Sequence, residues 1–215
     1  MNVFQAPPRN PASRSFPLRL AAAIVCLSFL APSALAKSER DKTKSKLRRG
    51  EIVVKTGEKK GSKYPTILAM ALIDVKPSQL WSVISDCRTY KDNLPSTVSS
   101  DRLKRWGDKK ERCKIVISVP LLPNLTAVTD SVMSVEPDKK YVRAWKLLKG
   151  DYKKNAGSWT LMPFEGPDRT LVVYKAHVEP KMDVPPKIQK MAIRNSLPQL
   201  FKKLRRKMAE KFPKK

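Results

Sequence analysis

Apolar and polar positions divide the chain after Gly50 into stretches of different period. Two β-prone runs, Glu51 to Thr56 and Thr66 to Asp74, are separated by a turn-like segment of Gly, Glu, Lys and Ser from Gly57 to Lys63. From Lys76 to Ser85, Leu80, Trp81, Val83 and Ile84 form one apolar side, and Pro77 suits a first helical turn, which predicts a short helix. Asp86 is placed to cap a second short helix that carries Tyr90 and stops before Pro95. Between Thr97 and Val178 the spacing becomes that of strands. Turn signals at Gly107, Pro120 to Asn124, Pro137, Gly150 and Gly166 cut this stretch into about six strands joined as antiparallel hairpins. Pro185 and Pro186 then open a helix of about 25 residues. It carries one apolar stripe at Ile188, Met191 and Ala192 and another at Leu197, Leu200, Phe201, Leu204 and Met208. Pro198 lies where the stripes meet, so a kink or register shift is expected there.

The first 36 residues read differently. Arg9, Arg14 and Arg19 precede an apolar run from Leu20 to Leu30, and Ala34-Leu35-Ala36 follows. A positive start, a short apolar run and small residues two apart are the pattern of a cleaved export signal. The run is shorter than the roughly 20 apolar residues that span a bilayer. Export to a periplasm or the medium, with cleavage near Ala36, is therefore expected. Lys37 to Gly50, with seven basic and two acidic side chains, reads as a flexible basic linker. Residues 51–212 are left as one domain, large enough to bury a core without metals.

Charge narrows the partners. Lys and Arg number 45 against 19 Asp and Glu, for a formal charge of +26. An excess of this size suits an anionic membrane surface or an acidic polymer, and export argues against nucleic acid. Cys87 and Cys113 remain after cleavage, and an oxidising compartment permits a disulfide between them; two buried thiols are the alternative.

The order strands, two short helices, strand meander and long terminal helix is distinctive. Pro77 to Trp81, Asp86, Tyr90 and Leu94-Pro95 at its start resemble the START-like, polyketide-cyclase-like and coenzyme-Q-binding-like proteins. So do Ala144-Trp145, Gly157 to Leu161 and Thr170 to Tyr174. The resemblance spans about Glu51 to Lys211. It implies an α+β helix-grip fold, in which a curved antiparallel sheet wraps a long C-terminal helix with an apolar cavity between them. Such proteins bind lipids, sterols or other apolar molecules, and a minority catalyse cyclisation.

Strand alternation assigns faces within that frame. With Lys146 and Lys175 outward, Tyr141, Arg143, Trp145 and Leu147 face inward, as do Val172, Tyr174 and Ala176. Lys114 outward places Cys113, Ile115 and Ile117 inside. Cavity candidates are Arg143, Tyr141, Trp145, Tyr174, Asp130, Leu197 and Phe201. Arg143 is the sharpest, because a guanidinium in an apolar groove needs an anion, either a ligand head or a carboxylate such as Asp130. Trp81 and Trp159 read as core. Lys202, Lys203, Arg205, Arg206 and Lys207 form a basic back to the last helix, suited to an anionic surface.

The catalytic inventory is thin. His177, the only histidine, falls on the outer face, no Cys/His cluster has metal-ligand spacing, and no phosphate-binding glycine loop occurs. Neither a metal nor another cofactor is expected. The reading is an exported, monomeric binding or carrier protein for an apolar or amphipathic molecule of lipid, sterol or isoprenoid class. Two other readings stand beside it: a cyclase- or dehydratase-type enzyme using Asp130 or Tyr174 in the same cavity, and a module that binds an anionic polymer.

Overall fold

The computed structural model describes residues 31–119 and 121–213. The expected export leader thus lies almost wholly outside the described residues, and the expected cleavage point at Ala36 falls within the first described helix. That helix, α1 (Ala31–Arg48), precedes β1 (Val53–Lys59) and β2 (Ser62–Ile73). Next come α2 (Pro77–Ile84), a 3-10 turn (Cys87–Thr89) and α3 (Tyr90–Asn93). Six strands follow: β3 (Thr97–Trp106), β4 (Lys110–Ile117), β5 (Leu125–Glu136), β6 (Lys140–Gly150), β7 (Tyr152–Pro163) and β8 (Thr170–Pro180). The chain ends in α4 (Pro186–Lys211).

All eight strands make one curved antiparallel sheet in the order β1-β2-β8-β7-β6-β5-β4-β3. Every neighbour but one is a hairpin partner. The exception is β2 with β8, which register Ile73 against Thr170 and Thr66 against His177, closing the meander onto the first hairpin. The β1–β2 turn is only Lys60-Gly61, tighter than the seven-residue turn expected, and Gly61 supplies the positive φ of 75° it needs.

The core lies between the concave face and the helices. Ala69, Ala71 and Ile73 of β2, Leu161 of β7 and Val172 of β8 pack against Leu197, Leu200, Phe201, Leu204 and Met208 of α4. Those five are the second apolar stripe of the terminal helix, and they are its buried residues. The helix runs through Pro198 as one element. Ile188, Met191 and Ala192, the first stripe, are only half-buried, because this half of α4 lies over open space rather than packed side chains. Small residues at Ala69 and Ala71 let the helix approach the sheet closely.

The basic segment after Ala36 is helical, not a flexible linker. Lys37 to Arg48 lacks Gly and Pro, a spacing of i, i+3 joins Glu39 to Lys42, and Leu47 anchors the end. Leu47 packs with Val53, Leu72 and Phe164 on the face of the sheet opposite α4. One buried leucine in a charged helix gives no apolar period, which is why the pattern reads as a linker. Among the described residues, no helix is long and apolar enough to cross a membrane.

Candidate functional site

Strand alternation and the half-packed start of α4 together leave a cavity of about 260 Å³ beneath that helix. Ile115 and Ile117 of β4 and Ala127 of β5 give it an apolar wall. Ala192, Leu197 and Leu200 of α4 cover it, and its rim runs past Pro95 to Thr97 and Val119. Next to the rim, Leu121 in the β4–β5 loop is 83% exposed.

The opposite wall is aromatic. Trp145 stacks on Tyr174 with ring centroids 5.7 Å apart, and Trp159 tilts against the same tyrosine at 4.6 Å. Trp145 is fixed from two sides. Its indole N–H donates to Asn155 Oδ1 at 2.9 Å, and its ring covers Gly157, where a Cβ would overlap both the indole and the Lys175 carbonyl. Glycine is required there by close approach.

Below the aromatic wall lies a buried ion network. Arg143, 2% exposed, pairs with Glu111 Oε1 at 2.5 Å and donates to Ile84 O at 3.0 Å and Ser131 Oγ at 3.1 Å. Its guanidinium lies over the Tyr90 ring at 5.2 Å. Glu111, itself fully buried, also accepts from Arg102 at 2.8 Å and from the Cys87 N–H at 3.2 Å. Arg102 continues to Asp86 at 2.8 Å, and Arg88 pairs with the same carboxylate. Burial alone would raise the Asp86 carboxyl. Hydrogen bonds from the Arg88 side chain and backbone, with the charges of Arg102 and Arg88, hold it down at about 2. Tyr90 donates its hydroxyl to Ile84 O, and burial pushes its phenol up to about 12.

Cys87 and Cys113 form a disulfide beside this network, so the question left open by their sequence is answered as a bridge. The ligand atoms of Cys87, Cys113 and Glu111 lie within 4.8 Å of one another. The sulfurs are spent on each other and the carboxylate on Arg143 and Arg102, so the trio does not fit a metal ion.

Of the residues expected in the cavity, Arg143, Trp145, Tyr174 and Leu197 line it. Tyr141 and Phe201 are buried in the core instead, Tyr141 against Trp81 and Phe201 against Trp159. Asp130 is a correction. It is paired across the strands with Arg112 at 2.7 Å, on the face away from the cavity, because Thr129 and Ser131 occupy the inward positions of β5. The anion that Arg143 requires is Glu111. Trp159, expected as core, is buried and also lines the cavity. His177 sits outward beside Glu179, as alternation predicts.

The basic back of α4 is less free than its sequence implies. Lys203 donates to Leu94 O, Arg205 to Leu72 O and Gly50 O, and Lys207 pairs with Glu210. Lys202 and Arg206 stay exposed, Arg206 within 3.7 Å of Glu210. Residues missed altogether are Glu111, Tyr152 and Asn155. Alternation with the inward Cys113 would have found Glu111. A register shift between Tyr152 and Lys154 hides Tyr152.

The profile of a family described as polyketide cyclase / dehydrase and lipid transport matches residues 73–205. No curated protein matches the chain in sequence. Among solved structures, a STAR-related lipid transfer protein from Xanthomonas axonopodis is 19% identical, with a TM-score of 0.60 over 73% of this chain and 93% of that one. Human StAR-related lipid transfer protein 5 is 10% identical, with a TM-score of 0.67 over 84% of this chain and 98% of its own. The Zhui aromatase/cyclase from Streptomyces sp. R1128 is 13% identical, with a TM-score of 0.53 over 68% and 92%. At these identities the likeness is one of fold.

Proposed function

Because the chain belongs to the polyketide cyclase / dehydrase and lipid transport family, we propose that it is an exported carrier for an apolar ligand, which it binds under α4 and exchanges at anionic membranes. The observation that carries the binding reading is the cavity itself, walled by aliphatic and aromatic side chains with a few polar groups among them. Among the described residues its lining holds no Asp, Glu, His or Lys. The buried carboxylate beneath it, Glu111, is held by two arginines and has no free role as a base. This favours carriage over the cyclase or dehydratase chemistry of other proteins with this fold. The likeness to lipid transfer proteins supports the same reading.

Export is supported by the Arg-rich start, short apolar run and small-residue site before Lys37, and by a disulfide, which persists in oxidising compartments. A membrane-facing mouth is supported by exposed Leu121 at the rim and by Lys187, Lys190 and Arg194, exposed on the half of α4 that covers the cavity. The test is native mass spectrometry of the mature protein from its own host, with solvent extraction of what accompanies it. A stoichiometric lipid or isoprenoid supports carriage. A clean apo mass, unchanged after incubation with membrane lipids, overturns it.

A further inference from the structure

We infer that the cavity selects an uncharged molecule with a single chain and a carbonyl or ether oxygen, held by the phenol hydroxyls of Tyr152 and Tyr174. The inference rests on the carrier reading and narrows its ligand class.

Size comes first. At about 260 Å³ the cavity lies just below the roughly 300–1,000 Å³ usual for small-molecule pockets. One medium chain fits, its end extending through the rim. That space suits one chain better than two.

Charge comes next. A carboxylate or phosphate buried here would need an unmatched cation. Among the described residues Arg143 is the one cationic side chain in the lining, and its guanidinium is already spent on Glu111, Ile84 O and Ser131. The cavity therefore offers an anion no unmatched charge.

Hydrogen-bonding capacity decides the rest. Tyr152, 5% exposed, and Tyr174 both line the cavity, and neither hydroxyl has a hydrogen-bond partner among the described residues. Neither hydroxyl is among the enclosed side-chain atoms left without a partner, so each is open to the cavity, where an acceptor oxygen on a ligand can take the place of water. Burial pushes the Tyr152 phenol up to about 12 and raises that of Tyr174, so both stay protonated and donate. Asn155 also lines the cavity, its Oδ1 taken by the Trp145 indole N–H. Two phenol donors beside a matched arginine favour a neutral acceptor.

The test uses N-phenyl-1-naphthylamine, a neutral fluorescent probe without an acceptor oxygen, displaced by 2-decanone or by decanoate at pH 7.5. 2-Decanone should displace it at concentrations about tenfold lower than decanoate. Tyr152→Phe and Tyr174→Phe keep the rings, and each should weaken 2-decanone about three- to tenfold, the worth of one net hydrogen bond, without altering probe binding. Equal displacement by both ligands, or Phe variants that bind 2-decanone as the native protein does, overturns the inference while carriage stands. Failure of the probe, 2-decanone and decanoate to bind at all takes down the carrier reading itself, and the inference with it.

Discussion

Arg143 shows how local pattern can give the direction of a side chain and its need for an anion while leaving open which anion meets it. Its inward direction follows from alternation with Lys146, and it is buried as that predicts. Its counter-ion lies two strands away on β4, and no local rule pairs residues 32 positions apart. Removing one member of such a pair leaves a bare charge in the core, at a cost of about 3–5 kcal/mol. Glu111→Ala should therefore lower stability in urea by that order, and Glu111→Gln by less, because it keeps hydrogen-bonding capacity. A Glu111→Ala protein as stable as the native one would mean that the network is not a structural support. Asp86 gives the same network a pH dependence. Its carboxyl titrates near 2 when folded against an ordinary value of 3.8. The stability it adds is complete above about pH 4 and is lost as pH falls towards 2. Asp86→Asn should flatten the acid limb of a stability–pH profile over that window, and an unchanged limb would refute the assignment.

At the scale of elements, the disulfide ties the 3-10 turn after α2 to β4, across a separation of 26 residues. Closing a loop of that length stabilises by about 3 kcal/mol, and for a chain of this size each kcal/mol is worth about 2–4 °C. Cys87→Ser with Cys113→Ser should lower Tm by about 6–12 °C, read by scanning calorimetry, and a loss below 2 °C would show that the turn needs no tether. The elements themselves were largely legible in the sequence. The six meander strands, α2 and the buried stripe of α4 follow from period and from Gly and Pro turns, because each buries one face and leaves the other wet. What stayed hidden has a physical cause in each case. α1 docks through the single leucine Leu47, Tyr152 precedes a register shift, and Asp130 was assigned inward where a neighbour on β5 fills that position. The cavity volume was illegible because it depends on how far α4 stands from the sheet, which only the packed side chains decide.

For the molecule as a whole, charge and cavity form one argument. The +26 formal charge is spread widely, but its members are not equivalent. Lys203 and Arg205 are turned back onto backbone carbonyls and Lys207 onto Glu210, so they add little to a surface field. Lys187, Lys190 and Arg194 are exposed, have no ion pair among the described residues, and lie on the part of α4 that covers the cavity. A carrier that exchanges ligand at a membrane must present its mouth to the bilayer, and each lysine or arginine near an anionic surface contributes about 1 kcal/mol. Replacing these three with Ser should weaken binding to vesicles containing an anionic phospholipid by about two orders of magnitude. Replacing Lys202 and Arg206 should weaken it less. The native protein should lose most of its binding between low salt and 0.5 M salt, where charges are screened within about 4–5 Å. If the two sets of substitutions act equally, the field is general and the mouth is not oriented. If neutral vesicles bind as well as anionic ones, attachment is apolar, and Leu121 at the rim becomes the residue to replace.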